Sequence, residues 1–262
     1  MNVSMNKELN EKEPSLSYKR MKALIIFELE TSARFPVLDV IAIFLFLISF
    51  ISIYSPISFE LYSSLSFSAI TNNYLLAVDT NFLLFLVNSI TIGILITNSF
   101  LGNSERSMTL NFLSGTVSRT EIFLSKIIFY FCTFFIICSL FICFEFWFHP
   151  WNFDLEMILS FLLLLLLNIL STITLSIILV MVTKNYLFNM TIIFFFWIFI
   201  EYFIDFTQMR LPMFLYLMFI PSSVFQNWLS FEKLLFESLM GIFLCILLLL
   251  GSFIIFQKQD MD

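Results

Sequence analysis

The chain has 262 residues, a formal net charge of -6, and a composition that is 60% hydrophobic and only 12% charged. Soluble domains carry roughly 25% charged residues, and a water-soluble core could not hide 37 phenylalanines together with the rest of this apolar surface. An ordinary soluble domain is excluded, the bilayer must be the solvent, and an all-α membrane protein is expected, because in lipid the backbone must satisfy its own polar groups.

A helix needs about 20 apolar residues to cross roughly 30 Å of hydrocarbon. Residues 1–14, ending at Pro14, read as a disordered, charged tail. Residues 15–36 are a charged segment ahead of the first apolar run. Six spans are then expected, at 37–54, 82–100, 122–147, 157–182, 187–206 and 235–256, within a membrane domain of residues 37–256. Residues 257–262 form a tail. The stretch 213–225 is apolar but short, and Pro212 and Pro221 break it, so it reads as a re-entrant or interfacial segment.

Basic residues orient the spans. Lys7, Lys12, Lys19, Arg20, Lys22 and Arg34 precede the first span, and Arg106, Arg119 and Lys126 lie between the second and third. Lys184 follows the fourth span and Lys258 follows the sixth. Six spans with both termini cytoplasmic leave only Arg210 and Lys233 outside, of 13 basic residues. A cleavable signal peptide is not expected, because the apolar run at residue 37 comes too late, so the first span should stay as an anchor.

Little points to chemistry on this chain. Cys132, Cys138, Cys143 and Cys245 do not match a close-paired zinc pattern and read as small packing residues. The lone histidine, His149, sits before Pro150 in a short external turn. No metal site, no catalytic residue and no cofactor is expected. A phosphate-cradling G-x-x-x-x-G-K-[ST] run is missing, so ATP cannot be bound and split by that route.

The polar stretch 105–126 stands out against this background. Asn103 or Ser104 can cap a short helix starting at Glu105, whose charge suits the positive helix end. Met108, Leu110, Phe112 and Leu113 supply apolar matter, and Gly115 is a natural stop. Ser118 and Glu121 then form a capping box, S-x-x-E, that leads into the third span. Spacing alone leaves two readings open: a short membrane-parallel helix, or an ordinary connector.

Glu105, Arg106, Thr109 and Leu110, followed by Val117, Ser118, Arg119, Glu121, Ile122 and Lys126, resemble a pattern of the ABC-2 type transporter permease family. That pattern is E-R-x-x-G-T-L, then P-V-S-R-x-E-I-x-x-x-K. The tail FQKQDMD is similar to the family's ending, and the resemblance spans the chain from about Tyr18 onward. Met108 stands in place of the glycine and Thr116 in place of the proline.

The resemblance implies a permease subunit of an exporter in the cell membrane. It would pair with a second copy or a similar permease and sit on ABC ATPase subunits that carry the ATP and Mg. No nucleic-acid partner is implied. Residues 15–36 would be a cytoplasmic lead-in helix. Lys22 and Glu28 fall on different faces of that segment, so its weak amphipathicity leaves an interfacial position to the resemblance. The loop would be the coupling helix, with Phe112 and Leu113 filling a groove on the ATPase. Glu105, Arg106, Ser118 and Arg119 complete the expected contact set, although charges there can instead meet lipid headgroups.

Inside the spans, Asn88, Thr91 and Asn98 share one helix face, beside a stripe of Ser89, Gly93 and Thr97. Asn168, Thr172 and Ser176 repeat every four residues on the fourth span. Such faces mediate helix packing or line a pathway, and nothing local separates the two. Glu201 and Asp205, one turn apart near the outer end of the fifth span, are candidates for an external gate or exit. Ionisable groups at membrane depth cost about 2.5–3.5 kcal/mol and tend to mark function, with snorkelling to the interface as the plainer reading.

Two other classes remain: a membrane scaffold that recruits an ATPase without carrying substrate, and a secondary transporter. The second is disfavoured by the lack of an internal repeat and by peripheral acidic residues. Alanine at both Glu201 and Asp205 is expected to impair transport without lowering membrane insertion. Unchanged transport would discard the gate.

Overall fold

The computed structural model describes residues 18–34, 69–101, 117–148, 155–203, 212–219 and 231–258. Every regular element among them is helical: α1 (Tyr18–Arg34), α2 (Ala69–Leu101), α3 (Arg119–Phe148), α4 (Leu155–Thr183), α5 (Tyr186–Phe203), α6 (Met213–Phe219) and α7 (Phe231–Lys258). Four are long and apolar enough to cross a membrane, over Leu84–Leu101, Arg119–Cys143, Ile158–Thr183 and Phe231–Lys258. The chain is therefore a multi-pass, membrane-embedded helical protein. α5 is shorter, Tyr186–Phe203. The expected first span, 37–54, lies outside the described residues.

The start of α2 differs most from expectation. α2 begins at Ala69, well ahead of the expected span start at residue 82. Span-finding counts apolar residues, whereas a helix needs only its own backbone bonds. Leu75, Leu76 and Ala77 sustain the helix through Asn72, Asn73 and Asp79 before the hydrocarbon run begins.

α4 is the centre of the bundle. It packs against α2, α3, α5, α6 and α7, and 67% of its membrane window is buried, against 22% for α7. α7 turns Leu234, Ser238, Gly241, Cys245, Ser252 and Phe256 inward, and leaves Phe236, Phe243, Leu247, Leu250 and Ile254 exposed. Four of these six inward residues are small and the outward ones are large and apolar, which is the packing of lipid-solvated helices. In water that outer face would be a large sticky patch.

Contacts also fix the directions of the helices. Asn88 meets Asn168, Ser89 meets Thr172, and Gly93 lies beside Ser176, so α2 and α4 run parallel. Cys138 meets Asn88 while Lys126 meets Ser99, so α3 runs antiparallel to α2. α5 returns from α4 through a two-residue turn. There Lys184 takes a left-handed φ of 51° and its N–H bonds the Val180 carbonyl at 3.2 Å, a helix-ending motif. Asn185 Oδ1 then caps α5 by accepting from the Phe188 N–H at 3.2 Å.

Hydroxyl groups are quieted locally. Thr172, Thr174, Ser176 and Thr183 each donate to the carbonyl four residues back, which hides their protons from lipid. α6 packs on α4 and α7, and Ser171 donates to its Met218 carbonyl at 2.9 Å.

At Gly93 the backbone of α2 approaches α5 so closely that an added Cβ would overlap the Ile193 Cγ2 methyl, with Ser176 Oγ 3.3 Å away. Gly93→Ala is expected to cost about 1–3 kcal/mol through overpacking, read as a lower thermal midpoint in detergent. Ile193→Ala on that background should cost less than the two single changes added together. Strict additivity would contradict the close approach.

Candidate functional site

Three helix ends and α1 meet at one end of the bundle: the C-termini of α2 and α7, the N-terminus of α3, and α1 along its length. A helix start offers unpaired N–H groups and a helix end unpaired carbonyls. The sequence around 118–126 supplies both kinds of partner within three turns.

The capping box expected at Ser118 and Glu121 is present. Ser118 Oγ accepts from the Glu121 N–H at 3.2 Å, and Glu121 Oε2 accepts from the Ser118 N–H at 2.9 Å. Glu121 has a second role. Its Oε1 receives Arg20 Nε of α1 at 3.0 Å, and the carboxylate is fully buried. Two charge-assisted bonds therefore offset the burial of this acid.

Lys126 lies a turn and a half deeper, only 3% exposed. Its ammonium has three protons, and three acceptors surround it: Glu28 Oε1 of α1 at 2.7 Å, and the carbonyl and Oγ of Ser99 at 3.0 and 2.6 Å. The Phe100 ring adds a cation–π contact, its centroid 5.6 Å from Nζ. Lys126 thus neutralises a buried acid and sits on the carbonyl end of α2, where the helix dipole favours a cation. Removing one partner of such a pair costs about 3–5 kcal/mol, because the other charge is left stranded.

Arg119 reaches the end of α7, with Nη1 donating to the Gln257 carbonyl at 2.8 Å. Beneath these ionic contacts Phe100 of α2, Phe123 of α3, and Phe253 and Phe256 of α7 form an aromatic knot. Phe123 lies 5.3 Å from Phe253 and 5.4 Å from Phe256, and Phe100 packs edge-on at 6.0 Å from Phe256. The tail phenylalanine of the resemblance is therefore packed against the motif that follows the polar loop.

Lys22 and Glu28 lie on different faces of α1, as their spacing gives: Lys22 is exposed and Glu28 is buried, facing α3. Spacing alone does not show that this acid is paired, and the pairing is what makes its face an inward one.

A second polar cluster lies at membrane depth. Asn168 Nδ2 donates to Ser89 Oγ at 3.0 Å, Thr172 Oγ1 lies 3.2 Å from the same hydroxyl, and Asn88 Nδ2 donates to Asn168 Oδ1 at 3.4 Å. The Cys138 thiol donates to Asn88 Oδ1 at 3.5 Å. The cluster knits α2, α3 and α4 with its members bonded to one another, which is how polar residues hold helices together in lipid. Thr91 and Asn98 are half-buried outside it. The structure thus brings Asn88 together with the stripe residue Ser89 and with α4, rather than with Thr91 and Asn98.

Glu105, Arg106, Phe112, Leu113 and Asp205 lie outside the described residues. Glu201 falls in the last turn of α5. Among the described residues no group of three or more His, Cys, Asp or Glu is placed to hold a metal. No protein-family model, curated protein or solved structure matches the chain.

Proposed function

We propose that this chain is the transmembrane subunit of an ABC-2 type exporter, driven by ATP hydrolysis on separate subunits. Six spans, cytoplasmic termini, a re-entrant segment around α6, and pairing with a second copy or a similar permease belong to that reading. One observation carries it. Two of the stretches that bear the family resemblance, 117–126 and the tail from Phe256, pack against each other and tie three helix ends and α1 into one junction.

Such a junction is what a power stroke delivered from outside the membrane requires. The polar loop 105–116 feeds directly into the capped start of α3. A push on that loop meets a stiff helix end and not a frayed one, since the cap fixes the entry of the chain. From there the ion pairs and the aromatic knot pass it to α1, α2 and α7. Phe112 and Leu113 would be the apolar knobs in the ATPase groove, and Glu105, Arg106 and Arg119 the charged rim.

Purification in mild detergent is expected to bring an ATPase with a phosphate-cradling loop along with this chain. Phe112→Asp should release that ATPase, and Arg119→Asp should weaken its hold. Continued co-elution with Phe112→Asp would remove the docking role, and a preparation active with no nucleotide-hydrolysing companion would remove the transporter class.

A further inference from the structure

α1 presents two unlike faces. Arg20, Leu24 and Glu28 follow one another at single-turn spacing, and Leu24 and Glu28 are buried. Tyr18, Lys19, Lys22, Ile26 and Leu29 are exposed on the other side. The inward stripe therefore runs cation, apolar, anion. α3 answers with anion then cation, Glu121 and Lys126, at 3.0 Å from Arg20 and 2.7 Å from Glu28.

That order specifies one arrangement. A reversed α1 would set Arg20 against Lys126 and Glu28 against Glu121, placing like charges together where water is scarce. A slide by one turn would bring Leu24 to Glu121 and leave a buried carboxylate without its guanidinium. One ion pair would still let α1 pivot about it. Two, with Leu24 packed between them, resist both rotation and separation.

We propose that these two pairs form a strap that makes α1 and the first turns of α3 one moving body, with Glu28 and Lys126 as its positioning residues. Displacement of the loop before α3 is then carried to α1, and from α1 to the chain that follows Arg34. Only the source of that displacement rests on the transporter reading. The strap itself rests on the geometry of α1 and α3.

Hydrogen exchange on the full chain in lipid nanodiscs tests it. Residues 18–34 of the unmodified protein should be protected. Glu28→Gln and Lys126→Met should each raise their exchange about a hundredfold, with α4 still protected as the sign of an intact bundle. The double variant Glu28→Gln/Lys126→Met should exchange more slowly than the product of the single effects, because no stranded charge remains. Arg20→Gln, at the part-exposed end, should act in the same direction and decides the matter if Lys126→Met does not fold. An unprotected α1 in the unmodified chain, unchanged exchange in Glu28→Gln and Arg20→Gln, or purely multiplicative effects would overturn the strap.

With the ATPase bound, added nucleotide should alter exchange at 119–126 and 18–34 together, and at 119–126 alone in Glu28→Gln. A response at 119–126 that never reaches 18–34 in the unmodified chain would also overturn the strap. A chain that binds no ATPase would instead overturn the transporter reading, and the exchange of the isolated chain would still decide the strap.

Discussion

The organisation of this protein turns on one buried ammonium. Lys126 sits within the membrane helix α3, where an isolated cation would be expelled, and it remains because each of its protons has an acceptor. Those acceptors come from two other helices. The Glu28 carboxylate fixes α1, and the Ser99 carbonyl and hydroxyl fix the end of α2. Burial thus makes the contact demanding: the charge can be held only if three helices arrive together. Glu121 applies the same logic one turn and a half toward the helix start, with its own cap as one partner and Arg20 as the other.

The remainder of the bundle has no comparable ionic contact among the described residues and is held in another way. Its outer surface is itself apolar, as the exposed Phe236, Phe243 and Phe195 show. Hydrophobic burial therefore cannot drive helix against helix in lipid, and close packing with neutral polar bonds must serve. Gly93 and Gly241 let neighbouring side chains pack onto the helix backbone, and the Asn88, Ser89, Asn168 and Thr172 cluster bonds across the gap. The protein is thus graded along its axis, neutral and close-packed at membrane depth, ionic and aromatic at the end where α1 docks.

Much of this was legible from the sequence, and the part that was not has a common cause. Apolar length revealed the four long helices, and local spacing revealed the Ser118–Glu121 cap, because both depend on residues near one another in the chain. The small and polar stripes on α2 and α4 were visible as stripes. Their meeting was not, since a helical wheel shows which residues share a face but not what faces them. The same limit hid the role of α1, whose Arg20 pairs with a carboxylate 101 residues away. Spacing put Lys22 and Glu28 on different faces of α1, and only the fold shows that the face of Glu28 meets Lys126. The early start of α2 was missed because apolar content marks the hydrocarbon and not the helix.

The account stands on the claim that α1, the end of α2, the start of α3 and the end of α7 share one side of the membrane, and that this side is cytosolic. A membrane-impermeant thiol reagent, applied from each face to single cysteines on a cysteine-free chain, tests it most directly. Cysteine at the exposed positions Lys19, Lys184 and Lys258 should react only from the cytosolic face, and cysteine at Glu156, exposed at the start of α4, only from the opposite one. Reaction of Lys19 and Lys258 variants from different faces, or of both from the outer face, would contradict it.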